Sequence, residues 1–251
     1  MSRSLASIAK RTKTIQTTQK ITNAMKLVSM SKLQRYRSKM TKYDPIYKHV
    51  NNLPKEAYEN TLPKLYLAFV PDLGLVSAYP RNLINKLDSL DKPDVYIIGT
   101  QSYDKFNSGD HCVLLSDRQS SENLDIDEIK NIVTSKIDTY NIVCLVPQVS
   151  ISAKIEFIEV ETSYKLSSEY DMLFEPNYET ANKAFQKVYT ETVIMNAYYQ
   201  SKVSEYTMRR VAMEQATENA DNMLYDLKLK YNRLRQEKIT EEIADLTQAE
   251  D

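Results

Sequence analysis

Residues 213–234, MEQATENADNMLYDLKLKYNRL, carry the pattern that decides the fold. Met213, Ala216, Ala220, Met223, Leu227, Tyr231 and Leu234 recur at steps of three and four. That spacing marks one face of a helix and lies close to the period of a coiled-coil seam. Ala216 and Ala220 are small enough to let a partner helix come close. The pattern resumes at Ile239, Ile243 and Leu246 after one extra residue. Nothing upstream interrupts it as far back as Tyr178. All three glycines and all eight prolines lie between Pro45 and Pro176, and these are the residues that most often end regular structure. A helix from Tyr178 to about Asp245 is predicted, on the order of 100 Å long at about 1.5 Å per residue.

The chain before Pro45 is equally free of breakers. Ile8, Ile15, Ile21, Met25, Val28, Leu33, Tyr36 and Met40 are spaced three to four residues apart on average, which predicts a helix over Ser4–Tyr43, about 60 Å long. Residues 1–43 hold no Asp or Glu, against Arg3, Lys10, Arg11, Lys13, Lys20, Lys26, Lys32, Arg35, Arg37, Lys39 and Lys42. The far end of the chain is acidic: Glu237, Glu241, Glu242, Asp245, Glu250 and Asp251 stand against Lys238. Three readings of the basic helix compete. A mitochondrial targeting peptide has this composition. A basic face also attracts nucleic acid or a membrane surface. In the third reading the basic helix packs against the acidic one as an antiparallel coiled coil, with opposite charges flanking the seam. The length of the seam and the presence of a mate weigh for the third.

Between the two helices the chain alternates. Leu65–Val70, Asp94–Thr100, His111–Ser116, Asn141–Pro147 and Lys154–Glu161 have the composition of strands. Segments near Pro80–Leu90, Gln101–Asn107 and Asn123–Asp138 suit helices between the first four. That order suggests parallel strands joined by crossover helices. The expected fold class is therefore α/β with long helices: an antiparallel coiled coil of the terminal helices plus a small Rossmann-like α/β domain. The expected division is 1–44 for the N-terminal helix, 45–176 for the α/β domain and 177–251 for the C-terminal helix.

Composition narrows the chemistry. Thirty-three Lys and Arg against 34 Asp and Glu give a net charge of −1, so the total announces no polyanion partner. A mean hydropathy of −0.51 and the lack of any run near ~20 apolar residues argue against a spanning helix. Cys112 and Cys144 cannot build a disulfide framework, and no secretory signal precedes them, so the chain reads as intracellular. Neither a P-loop nor a G-x-G-x-x-G occurs. Asp110, His111, Cys112 and Asp117 lack a second His or Cys at zinc-like spacing, and a buried core cysteine is the plainer account. His49 has no evident partner. Tyr189, Tyr198, Tyr199 and Tyr206 suit packing better than base stacking. By its own residues the chain is not an enzyme.

The two ends carry a resemblance. Ser4, Leu5 and Ile8, then Gln19-Lys20-Ile21-Thr22, Ala24-Met25-Lys26, Val28 and Ser31-Lys32-Leu33 are similar to the N-terminal signature of the gamma subunit of F-type ATP synthases. Arg209, Ala212-Met213, Ala216-Thr217, Asn219-Ala220, Tyr231-Asn232, Arg235-Gln236 and Ile239-Thr240-Glu241-Glu242 resemble its C-terminal signature. The middle departs from the family. Where an Asp-Arg-Gly-Leu-Cys-Gly-like turn is usual, this chain has Asp72-Leu73-Gly74-Leu75-Val76-Ser77. Glu214 stands where Lys is common, and the globular part is short for the family.

The resemblance implies a central rotor shaft of a rotary ATPase, seated in a hexameric ring of alpha- and beta-like subunits. It implies no cofactor on this chain and Mg-ATP on the partner subunits. An epsilon-like subunit and a membrane c-ring would sit at the base, with no nucleic acid among the partners, and the location would be peripheral, on the cytoplasmic side of the cell membrane. Carried over by position, Met25, Lys26, Arg209, Gln236, Thr240 and Glu242 would contact the ring, and Leu246 would lie in a bearing at the tip. The shortened middle raises an alternative: a specialised F-type-like ATPase whose shaft drives other mechanical work, such as motility in wall-less bacteria.

Overall fold

Lys64–Phe69 is exposed only at its first residue and buried at the next five, the signature of a central strand covered on both faces. This strand, β2, organises the middle of the protein. The computed structural model describes residues 2–57, 61–76, 78–122, 124–150, 154–167 and 173–248. In chain order the elements are α1 (Ser2–Asn51), β1 (Lys55–Ala57), β2, α2 (Ala78–Asp88), β3 (Asp94–Ile98), α3 (Tyr103–Asn107), β4 (Val113–Leu114), α4 (Ile126–Lys136), β5 (Asn141–Val149), β6 (Ile155–Glu161), β7 (Tyr164–Leu166) and α5 (Tyr178–Gln248). A five-stranded sheet runs in the order β4-β3-β2-β5-β6. β2 pairs in parallel with β3 and β5, β3 in parallel with β4, and β6 closes the edge antiparallel to β5. The helical crossovers predicted from sequence are present. The short antiparallel pair β1–β7 is not among the predicted strands, because three residues are too few to show a period.

The chain divides into two compact units. One holds residues 31–208; the other holds the helical arms up to Met30 and from Arg209 onward.

In the 31–208 unit, alternate residues of the strands feed two cores. Tyr66, Ala68, Val70, Val95, Ile97, Val143 and Leu145 pack with Tyr79, Leu83 and Leu87 of α2 and with Phe106 and Cys112. Leu67, Phe69, Ile98, Ile142, Cys144 and Val146 face the other way. They meet Ile129 and Val133 of α4, Leu33, Tyr36 and Val50 of α1, and Tyr189, Val193, Ile194, Ala197, Tyr198 and Tyr206 of α5. The helical stretches therefore supply half of this core. Tyr36 stacks on Tyr206 with centroids 5.6 Å apart and meets Tyr198 edge-on at 6.3 Å, while Tyr43 meets Tyr199 at 5.6 Å. These aromatic pairs run antiparallel, with numbers rising on α1 as they fall on α5.

α1 does not stop at Pro45 as predicted, but continues to Asn51 with Pro45 inside it. A proline there forfeits one backbone hydrogen bond. Tyr43, Tyr47 and Val50 all pack into the core, so burial on either side of Pro45 outweighs that loss. The strand predicted over His111–Ser116 contracts to Val113–Leu114.

In the other unit the two helical arms also pair antiparallel. The Thr22 and Thr217 hydroxyls lie 2.9 Å apart, and the Gln19 amide donates to the Asp221 carboxylate. On α1 the inward face is Ile8, Thr12, Ile15, Gln19, Thr22, Met25, Lys26 and Ser29, all buried or half-buried. Ile21 and Val28, predicted on the seam, are 55% and 57% exposed. The reason is geometric: Ile21 follows Ile15 by six residues, about 240° further around the helix. The apolar residues fall on two stripes, and only one of them is the seam. On α5, Met213, Ala216, Ala220, Leu227 and Leu234 face inward as predicted, but Leu224 takes the place of Met223, and Met223 and Tyr231 are exposed. Among the described residues, the arm ion pairs Arg210–Glu214 and Arg233–Glu237 lie along α5 rather than across the seam, and Lys10, Arg11, Lys13 and Lys20 of α1 are exposed.

Candidate functional site

The surface of the helical arms is the first candidate. Its outward face combines the basic residues of α1 with Ile21, Leu27, Val28 and Met30, and on α5 with Met223, Tyr225, Leu229, Ile239 and Ile243, all large apolar side chains that are exposed. A groove along the pair is lined by Ala9, Thr12 and Gln16 of α1 and by Leu224, Leu227 and Tyr231 of α5. Exposed apolar side chains interspersed with charges are compatible with a protein-binding surface.

The predicted contact residues that are described differ in exposure. Met25 and Lys26 are half-buried at the seam margin. Gln236 and Thr240 are exposed on one face of α5, with Thr240 Oγ1 donating to the Gln236 carbonyl at 3.0 Å. Arg233, Glu237, Glu241 and Ala244 share that face. Arg209 is only 3% exposed. The side chains of Glu242 and Leu246 lie outside the described residues.

A second group of residues was not anticipated from sequence. It lies in the 31–208 unit, where the connection between β4 and α4 meets both long helices. Lys202 of α5 is 1% exposed. Its ammonium donates to Glu205 at 3.0 Å and to Ser121 Oγ at 2.8 Å, and lies 4.0 Å from the Glu122 carboxylate. Glu122 also accepts from Lys32 of α1 and from the Tyr206 hydroxyl at 2.7 Å. Burial pushes the Glu122 carboxyl up. The hydrogen bonds from Lys32 and Tyr206 and the Lys202 charge outweigh that effect and hold it below its ordinary value. Asp72, just after β2, accepts from the backbone N–H of Ser121 at 2.9 Å, from Ser120 Oγ at 2.8 Å and from the Thr100 N–H at 3.0 Å. Burial again opposes ionisation there, but the bonds from Ser120 and Ser121, with Lys202 nearby, keep Asp72 on the low side. Lys202 shares its stretch with Asn196, Gln200, Ser201, Ser204 and Glu205, so it does not stand out in the sequence, and Ser121 and Glu122 are too distant in the chain to be read from it.

The chemistry-bearing residues weighed from sequence are placed as follows. His111 Nδ1 bonds Asp88 at 2.7 Å. Cys112 is buried, with its thiol directed to the Phe106 carbonyl and pushed up to about 11 by burial. Tyr189, Tyr198 and Tyr206 are core residues, each 5% exposed or less. Among the described residues, no group of three His, Cys, Asp or Glu could hold a metal ion. None of the helices there is long and apolar enough to cross a membrane.

A tightly paired antiparallel helical arm combined with a Rossmann-like α/β unit defines the class of rotary-ATPase central stalks. A family model described as ATP synthase matches residues 4–250. The ATP synthase gamma chain of Clostridium kluyveri is 31% identical, the alignment covering 96% of this chain and 95% of that one. The gamma chain of Mycoplasmopsis synoviae is also 31% identical, over 96% of both. The chain belongs to the ATP synthase gamma-chain family. A gamma chain is the central shaft of its enzyme and a non-catalytic subunit. The alignment with the Clostridium relative runs to 276 positions, more than this chain's 251 residues, so part of that relative has no counterpart here. In fold, the chain resembles the rotor of Euglena gracilis mitochondrial ATP synthase, with a TM-score of 0.75 at 14% identity over 95% of this chain and 100% of that one. It also resembles the central stalk of the Tetrahymena thermophila enzyme, at 0.58 and 18% over 78% and 99%. The motility alternative finds no support in these relatives.

Proposed function

We propose that this chain turns as the central shaft of an ATP synthase. Its helical arms sit inside a hexameric ring of alpha- and beta-like subunits, and the beta-like members hold Mg-ATP and carry out catalysis. The observation that carries this reading is the paired arm whose outer face keeps Ile21, Leu27, Val28, Met223, Tyr225 and Leu229 exposed beside an unbroken series of basic residues. Exposed apolar side chains grouped beside charge suit a surface that an encircling partner covers.

The two arms differ in sequence, so each ring subunit meets a different surface at a given angle. Each angle then favours different ring conformations, and nucleotide occupancy in turn biases the angle. Gln236 and Thr240 on the exposed α5 face, Met25 and Lys26 at the seam margin, and Glu242 are the residues assigned to ring contact. Arg209, being buried, acts by holding the arm in place. Leu246 belongs to the tip bearing. By role, 1–44 and 177–251 are the shaft and 45–176 the domain that docks an epsilon-like subunit and a membrane c-ring, on the cytoplasmic side of the membrane.

The test is affinity purification of the tagged chain from its native cell, with native mass and partner identification. Alpha- and beta-like subunits together with c subunits are expected. Recovery without any nucleotide-binding ring would overturn the reading.

A further inference from the structure

Connections between a strand and the next helix normally run over the surface and tolerate change. The one after β4 does the opposite. Ser121 is wholly buried, and it and Glu122 bond to three separate parts of the 31–208 unit. Toward the sheet, the Ser121 N–H donates to Asp72 and the Ser121 hydroxyl donates to the Val70 carbonyl at 2.8 Å. Toward α5, Ser121 receives Lys202 on its hydroxyl and Tyr198 on its carbonyl, the latter at 3.2 Å. The Glu122 carboxylate receives Tyr206. Toward α1, Glu122 receives Lys32 on its carboxylate and Tyr36 on its backbone carbonyl at 3.0 Å.

The apolar contacts around this point, Tyr36 on Tyr206 and Phe69 against Tyr198, resist separation but have little directionality. Hydrogen bonds weaken steeply as their angles open, and those to charged groups are the strongest. Two consecutive residues bonded to the sheet and to both helices therefore oppose rotation of the helix pair relative to the sheet. Removing any one partner leaves the other two bonded. A loop that only filled space would not need a fully buried lysine, which is costly to bury unless paired.

We propose that Ser121 and Glu122, with Lys32, Lys202 and Tyr206, form a torsional clamp through which torque passes between the α/β part and the two long helices. The proposal rests on the shaft reading and adds the place where load crosses from the docked domain to the coil. Glu122 is a positioning residue: it touches no nucleotide and acts through the stiffness of the shaft.

The experiment uses the assembled ATPase, anchored by its ring, with a rod attached through one introduced cysteine. Native Cys112 and Cys144 are buried and leave an exposed position to be labelled selectively. Lys105→Cys places the rod on α3 of the α/β part and Lys183→Cys places it on α5. Both positions are exposed. Angular fluctuation is recorded at rest and during ATP hydrolysis for wild type, Glu122→Gln and Glu122→Ala. With Gln, the bonds from Lys32 and Tyr206 survive as weaker neutral-acceptor bonds. The angular variance of the Lys105→Cys rod should rise about twofold, the ratio of charge-assisted to neutral hydrogen-bond strength, while the Lys183→Cys rod is unchanged.

If both rods loosen equally, or neither does while the wild-type enzyme turns, the clamp is overturned. A fall in melting temperature with both rods as stiff as wild type would leave only a structural role and overturn it as well. If the wild type does not turn at all, the shaft reading itself fails. Should Glu122→Ala not assemble, the near-isosteric Gln variant decides.

Discussion

Gly99, the residue directly after β3, has φ near +135°, and a Cβ built on it would lie 2.1 Å from the Val70 carbonyl oxygen. Gly99→Ala combines an unfavourable backbone region with a backbone overlap that no side-chain rotation relieves. Strain of this kind costs about 1–3 kcal/mol before the overlap is counted. Urea unfolding of the variant is expected to show a loss above about 2 kcal/mol. Glu122 gives a second prediction at this scale. Its carboxyl is held below the ordinary 4.5 in the folded chain. The stability it contributes is thus complete above about pH 4.5 and is lost as pH falls through the lower folded value. In melting curves, wild type should exceed Glu122→Gln by a constant margin at neutral pH, and the margin should shrink below pH 4.5. A margin independent of pH would mean that Lys32 and Tyr206 do not act on the ionised form.

The long helices were legible in the sequence because nothing in their residues opposes a helix and their apolar residues repeat. Their inner faces were less so. Thr12, Gln19, Thr22 and Ser29 occupy the α1 seam, and a reading keyed to apolar residues passes over small polar ones. Thr and Ser fit because each can return its hydroxyl to its own helix: Thr22 donates to the Gln19 carbonyl, Ser29 to Met25 and Thr217 to Met213. The seam needs little volume, so it suffers from excess. Ala220 is 5% exposed, and Ala220→Leu should force the arms apart at a cost of about 1–3 kcal/mol. Ala220→Ser should be close to neutral, and chemical denaturation of the pair of variants checks the contrast. The five strands of the larger sheet were legible from their apolar runs. β1 and β7 are too short to show a period, and the end of α1 was misplaced because Pro45 is a local signal overruled by tertiary contacts.

For the whole molecule, the family was carried by the two ends, while the surfaces that meet partners were readable only by analogy of position. The structure distinguishes those positions physically. Gln236 and Thr240 are open to a partner, whereas Arg209 is sealed. This predicts a division of effects in the assembled enzyme. Gln236→Ala with Thr240→Ala should alter ATPase rate while leaving the melting temperature of the free chain within about 0.5 kcal/mol-equivalent of wild type, as for most surface changes. Arg209→Ala should lower that stability first. Paired measurement of melting and steady-state hydrolysis separates the two, and an unchanged ATPase in the double variant would remove both residues from the interface.

The exposed apolar side chains of the arms also bear on the life of the chain before assembly. Ile21, Leu27, Val28, Met223, Tyr225 and Leu229 form the kind of surface that molecular chaperones bind and quality-control proteases sample. Without a ring around it, the shaft is expected to be a client of both systems. Its half-life in the cell should then follow the supply of its partners, and a pulse-chase of the chain made in excess should show faster loss than that of the assembled subunit.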